Sequence, residues 1–220
     1  MAQDRRSRAA GDQPALLKDL HWLGHDTFRI DHPCVIYLDP WKLPPGSPSA
    51  DLILVSHDHY DHCSPEDVEA IRGEKTIVVA NPSAAAKLRS PVRVLHAGKS
   101  LEAAGVRVEA VPAYNVGKKF HPRDAGHIGF IVHLGGERLY FAGDTDFIPE
   151  MEGLACDVAL LPVSGTYTMT AGEAVRAAAA IRPRVAVPMH YGAGVAGTAT
   201  DAEAFRRDSP VPVVVLPKEG

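Results

Sequence analysis

Ser56-His57-Asp58-His59-Tyr60-Asp61-His62 directly follows the apolar run Leu52-Ile53-Leu54-Val55. Such a run predicts a short buried strand. The loop that leaves its carboxyl end packs three imidazoles and the well-placed carboxylate of Asp61 into a His-x-His-x-Asp-His pattern. Imidazole nitrogen is a borderline donor and carboxylate oxygen a hard one, so this mixture at a strand end suits one or two divalent ions. The competing reading is a solvated polar loop.

Working outward, two more strand ends carry ligand-type residues. Arg138–Ala142 runs straight into Gly143-Asp144-Thr145, and Val185–Pro188 feeds Met189-His190-Tyr191-Gly192. Alone, Asp144 would read as a turn residue and His190 as a satisfied core histidine. Together with the loop at 57–62 they read as ligands, because loops beyond strand ends are where α/β proteins assemble sites.

The rest of the chain alternates short apolar runs with turns. Strands are expected within Leu20–Ile30, at Val35–Leu38, Thr76–Ala80, Val92–Leu95, Val106–Pro112 and Val158–Val163, with a closing strand at Val211–Leu216. Ile128–Leu134 and Arg138–Ala142 flank Gly135-Gly136, a hairpin signal. Ser64-Pro65-Glu66-Asp67 combines an N-cap serine, a proline at the first helical position and early acids, predicting a helix to about Ile71. Further helices are expected near Ser83–Leu88, at Ala171–Ile181 and at Asp201–Arg207. Three prolines within Pro44–Pro48 predict an irregular loop that borders the site.

At 220 residues, 45% apolar and net charge −4, the chain reads as one soluble domain spanning 1–220, with residues 1–14 a frayed tail. The tail carries Arg5, Arg6 and Arg8 with no apolar stretch behind them, so it is no secretory signal. Weak acidity argues against coating nucleic acid or an anionic membrane, and no apolar run reaches the roughly 18 residues needed to span a bilayer. Cys34, Cys63 and Cys156 lie far apart, which suits a reducing cytoplasm and gives no disulfide framework. Cys63, beside the loop, reads as a packing residue.

The chain resembles the metallo-β-lactamase-fold hydrolases, and within them the ascorbate-6-phosphate-lactonase-like group. The likeness rests on Trp22-Leu23-Gly24-His25, Leu38-Asp39-Pro40-Trp41, Ser56–His62, Pro112-Ala113-Tyr114-Asn115, Ala142-Gly143-Asp144 and Pro188-Met189-His190-Tyr191-Gly192. It implies an α/β (α+β) fold, a four-layer αββα sandwich of two mixed sheets with metals at the sandwich edge. It further implies that His57 and His59 hold a first ion, that Asp61, His62 and His190 hold a second, and that Asp144 bridges them. One position departs: where the family supplies another histidine after the strand ending near Pro112, this chain has Tyr114-Asn115. His25 or His121 could complete the shell; the plain alternatives are an edge histidine that touches no metal and a surface imidazole. One or two divalent ions are expected, zinc first, with manganese or nickel as alternatives.

The chemistry this implies is hydrolysis by metal-activated water, with Asp61 and His62 the catalytic candidates. Asn115, Lys118, His121 and Tyr167 are candidate substrate contacts, Lys118 with Lys119 as holders of an anionic group. A solvated loop tip is the competing reading for the lysines. Thr166 and Thr168 join Tyr167 as candidate pocket lining. A small ester, lactone or amide is the expected substrate. Phosphodiester hydrolysis of a nucleotide, phospholipid or RNA is the alternative, and a metal-binding protein without turnover the third reading. A small-molecule partner, no nucleic acid, no membrane span and an optional homo-oligomer complete the expectations.

Overall fold

Two six-stranded sheets form the body of the protein. The structure, a computed structural model, describes residues 13–219, so all but the end of the expected tail at 1–14 lies outside the described residues. The first sheet runs in chain order: β1 (Leu20–Gly24), β2 (Thr27–Ile30), β3 (Ile36–Leu38), β4 (Ala50–Val55), β5 (Arg72–Ala80) and β6 (Arg93–Val94). The second holds β7 (Ser100–Ala103), β8 (Val106–Pro112), β9 (Ile128–Leu134), β10 (Glu137–Phe141), β11 (Val158–Pro162) and β12 (Val185–Met189), in the order β12-β11-β10-β9-β8-β7. Both are mixed: β3 to β6 pair in parallel, as do β10 to β12, while β1/β2/β3 and β7/β8/β9/β10 pair antiparallel.

Side-chain alternation explains the layering. Ile36, Leu38, Leu52 and Leu54 point into the core shared with Val108, Phe130 and Phe141 of the second sheet. Tyr37, Ile53 and Val55 point the other way, onto Val68 and Ile71 of α1 (Pro65–Ile71) and Ala84 of α2 (Pro82–Ala85). On the far side, Ala174, Ala177, Ala178 and Ile181 of α3 (Ala171–Ile181) and Ala202 and Phe205 of α4 (Ala199–Asp208) cover the second sheet. The result is the αββα sandwich. Leu52, Ile53, Leu54 and Val55 are all fully buried, each worth about 2 kcal/mol of apolar burial, which anchors the strand that feeds the histidine loop.

Local signals act as the residue types dictate. Ser64 Oγ accepts from Asp67 N to cap α1, and the Asp67 carboxylate in turn accepts the backbone N–H groups of Lys42 and Leu43, pinning the proline-rich loop. Gly135 and Gly136 both have positive φ, 55° and 88°, in a two-residue turn between β9 and β10, as a type I′ hairpin requires. The closing strand expected at Val211–Leu216 is not formed. Pro210, Pro212 and Pro217 remove ladder donors, and the segment instead makes isolated bridges, Val213 to Ala186 of β12 and Lys218 to Trp22 of β1. Strand β7 went unanticipated, since Ser-Leu-Glu-Ala carries almost no apolar signal. Among the described residues, no helix is long and apolar enough to cross a membrane.

Candidate metal centre

Strand direction brings the site together. The β1–β2 turn (His25, Asp26) and the carboxyl ends of β3 (Asp39) and β4 (His57–His62) share one edge of the first sheet. The carboxyl ends of β8 (leading to Asn115 and His121), β10 (Asp144) and β12 (His190) share the corresponding edge of the second.

Four donor atoms converge in a first cluster of His57, His59, His121 and Asp144. His59 Nδ1 is 3.1 Å from both His57 Nε2 and His121 Nε2, and Asp144 Oδ2 is 3.1 Å from His121 Nε2 and 4.0 Å from His57 Nε2. Metal–nitrogen bonds of 2.0–2.1 Å in a tetrahedron imply ligand separations of about 3.4 Å. His121, weighed above both as a completing ligand and as a substrate contact, lies in this cluster, while His25 lies in the second.

The neighbours of these rings determine which nitrogen faces inward. His57 Nδ1–H donates to Ser56 Oγ (2.9 Å), whose own proton goes to Asp39 Oδ2 (2.5 Å); His62 Nδ1–H donates to the same oxygen (2.8 Å). Asp39 therefore aims two imidazoles at once, one directly and one through a hydroxyl. His190 Nδ1–H donates to Ser164 Oγ at 2.8 Å. His121 Nδ1 faces two acceptors, Asn115 Oδ1 (3.1 Å) and Tyr167 O (3.3 Å), so it carries the proton and Nε2 keeps its lone pair. Asp39, Ser56 and Ser164 were not singled out as site residues, though Asp39 leaves a strand end just as Asp144 does.

A second cluster joins His25, Asp61, His62 and His190. His25 Nε2–H donates to Asp61 Oδ2 at 3.1 Å. His62 Nε2 and His190 Nε2 each approach an Asp144 oxygen at 3.3 Å, yet both nitrogens and Asp144 Oδ1 are buried without a hydrogen-bond partner. Buried polar atoms are rarely left so. Three orphaned donors around one point fit a divalent ion. His25, Asp39 and His190 all have positive φ (52°, 41° and 61°), a conformation uncommon outside glycine that Lys42, Ala104 and Arg182 also adopt. His190 N donates to His25 O, tying the two strained residues together.

Burial would lower the pKa of His62 and His190, but nearby carboxylates, Asp144 foremost, outweigh it: His62 is held well above its usual value and His190 is raised to about 9. Burial would likewise raise Asp144, yet His190 and His62 hold it well below the usual carboxylate range. Protons thus supply positive charge around Asp144 where a cation fits. His57, fully buried, is pushed well below 6.5, and burial takes His25 and His127 down to about 4, so these imidazoles are neutral. His127, not anticipated from sequence, lies 4.7 Å from His57 with the two rings tilted by 33°.

The expected substrate contacts are largely committed elsewhere. Asn115 Oδ1 accepts from His121 N and Nδ1, while its amide donates to Asp146 Oδ1 and Tyr167 O. Lys118 Nζ is held by Asp146 Oδ1 at 2.5 Å and by Thr168 O at 2.6 Å, so it is no solvated tip. Lys119 and Thr166 are exposed and Thr168 is buried. Tyr167 meets Phe120 edge to face at 4.7 Å, and Tyr60 meets Trp41 likewise at 5.9 Å. Trp41 lines a hollow of about 540 Å³ beneath the proline-rich loop, and its ring also sits 5.3 Å from that of His25. Trp41 thus stands between that hollow and the His25 end of the centre. Cys34, Cys63 and Cys156 are free; Cys63 is buried against Ala84, and burial pushes its thiol up to about 11.

The profile of the Beta-lactamase superfamily domain matches residues 19–190. A UPF0173 metal-dependent hydrolase of Thermoplasma acidophilum is 34% identical over 186 residues, covering 77% of this chain and 81% of that protein. One of Pyrococcus abyssi is 33% identical over 219 residues, covering 90% and 96%. Among solved structures, a metallo hydrolase from the archaeon Ignicoccus hospitalis superposes with a TM-score of 0.75 at 25% identity, covering 91% of this chain and 95% of that one.

Proposed function

We propose, on the premise that the chain belongs to the β-lactamase superfamily domain family and is a metal-dependent hydrolase of that superfamily, that it cleaves a small ester, lactone or amide. The carrying observation is the convergence of His57 Nε2, His59 Nδ1, His121 Nε2 and Asp144 Oδ2, beside the orphaned His62 and His190 nitrogens. In this reading His57, His59, His121 and Asp144 hold one ion. His62, His190, Asp61 and Asp144 hold a second, with His25 beside them. Three nitrogens and one oxygen suit zinc at the first position, with manganese or nickel as alternatives. A bound divalent ion supplies Lewis acidity, making water nucleophilic near neutral pH and polarising the scissile bond.

The remaining roles belong to the chain. Burial would raise the Asp61 pKa, but the hydrogen bond from His25 and the charge of His62 outweigh it, so the carboxylate is ionised. It is then placed to accept a hydrogen from the attacking water and orient it. His62 is fixed against Asp39 and holds its ring edge toward Asp144. Tyr60, Val116 and Phe120, 68%, 60% and 47% exposed, are next to or near cluster residues in sequence and are the apolar side chains offered to such a substrate in this reading. Lys118 is already paired with Asp146, which favours a neutral carbonyl substrate over an anionic one. Among such substrates, the likeness to the ascorbate-6-phosphate-lactonase-like group favours a cyclic ester. The free thiols favour a reducing compartment such as the cytoplasm.

Metal analysis of the purified protein against a His57→Ala/His59→Ala/His190→Ala variant, with lactone and ester panels, tests this reading. It requires a bound divalent ion lost in the variant and turnover on a carbonyl substrate. Activity confined to bis(p-nitrophenyl) phosphate would replace the substrate assignment with a phosphodiester.

A further inference from the structure

Asp26, at the β1–β2 turn, is fully buried, and neither carboxylate oxygen has a hydrogen-bond partner among the described residues. Its Oδ2 lies 3.8 Å from His62 Nδ1, and one of its oxygens falls within 4.8 Å of a donor atom on each of His62, Asp144 and His190. The hydrogen on His62 Nδ1 is already given to Asp39, so no neighbouring donor satisfies Asp26. A carboxylate without donors in a dry interior is costly unless a cation compensates it. Asp26 therefore has the same signature as the orphaned nitrogens of the second cluster, on a residue that nothing above uses.

We infer that Asp26 is a specificity-determining residue of the second metal position, a third carboxylate beside Asp61 and Asp144 that biases that position toward an oxygen-preferring ion such as manganese over zinc. The inference rests on the two-ion reading above. The first cluster offers three nitrogens and one oxygen. The second region gathers His62 and His190 with the three carboxylates of Asp26, Asp61 and Asp144, an oxygen-rich set suited to octahedral ions. The two positions then differ in metal preference, and Asp26 is the residue that separates them.

Metal-free protein given one equivalent of zinc is titrated with manganese, and free manganese is read by electron paramagnetic resonance. Wild type should take up a further equivalent. Asp26→Asn, which keeps the volume and supplies its own N–H groups, should bind that equivalent about tenfold more weakly or worse, in the range by which neighbours of metal ligands tune affinity. Zinc affinity at the first position should be unchanged, and metal-free Asp26→Asn should melt no lower than wild type. If Asp26→Asn does not fold, Asp26→Ser is read in the same way. Equal manganese affinity in wild type and variant overturns the role of Asp26 alone. A wild type that binds one ion or none overturns the two-ion reading and this inference with it.

Discussion

His121 Nε2 lies 3.1 Å from His59 Nδ1 although the two residues are 62 positions apart in the chain. The contact exists because Asn115 grips the His121 backbone and ring at once, through a single carbonyl oxygen. The asparagine standing where a histidine was expected has become the support of a histidine arriving from further along.

His121→Ala should therefore lower the bound metal by about one ion per chain and leave the second position occupied. Asn115→Ala should keep the imidazole but free its tautomer, weakening binding about tenfold rather than abolishing it. Elemental analysis and competition with a chromophoric chelator distinguish the two. Full metal content in His121→Ala would remove it from the ligand set.

Asp39 accepts from Ser56 N, Ser56 Oγ and His62 Nδ1. Asp39→Asn is tolerated by the positive φ there, since asparagine enters that region readily, but it cannot accept all three protons at once. Metal affinity should fall roughly 10- to 100-fold at both positions. Ser56→Ala should affect mainly the position that His57 serves. Titrating the two variants with zinc would show whether one carboxylate serves both positions.

Gly197 has φ +72°, and a Cβ there would meet Ser164 Cβ at 2.7 Å and His190 O at 2.9 Å. Ser164 is the acceptor for His190 Nδ1–H. Gly197→Ala should push this support aside, at about 1–3 kcal/mol of stability, and deplete the ion at the second position first. Thermal melts with and without metal measure both effects, and an unaltered melt would mean that the 192–197 loop yields freely.

Glu137 ties the chain just before β1 to β10, accepting from Ala15 N, Leu16 N and Arg184 Nη1. Burial alone would raise its pKa, but these donors outweigh it and the carboxyl is lowered. Its contribution is therefore complete above the ordinary carboxylate range and is lost as pH falls through the depressed value. Glu137→Gln should cost about 1–3 kcal/mol at pH 7, the difference from wild type shrinking below roughly pH 4. Chemical denaturation across that window is the measurement.

Much of the architecture was legible because it rests on local rules. The four-residue apolar run, the Ser64 cap and the Gly135-Gly136 turn each act within a few residues of themselves. Asp144 and His190 were readable as acid and imidazole leaving strand ends. What stayed open was the place of His121, and what escaped was Asp26. His121 lies in an irregular loop with no periodicity, and its place depends on a side-chain amide holding it. Asp26 looks like any turn acid until burial removes its water. The closing strand failed because Pro210, Pro212 and Pro217, not weighed in that expectation, delete ladder donors.

Both clusters draw from both sheets: His57 and His59 face His121 and Asp144 across the sandwich, while His25, Asp61 and His62 face His190. An ion held there is a rivet between two halves that also meet through apolar packing, through backbone hydrogen bonds such as Ile128 N to Ser56 O, and through the stack of Trp22 on Tyr191 at 4.7 Å. Metal affinity then becomes a remote gauge of how tightly the sheets close. A cavity cut at Phe130 or Phe141, in the core between the sheets, would register as a looser grip on metal.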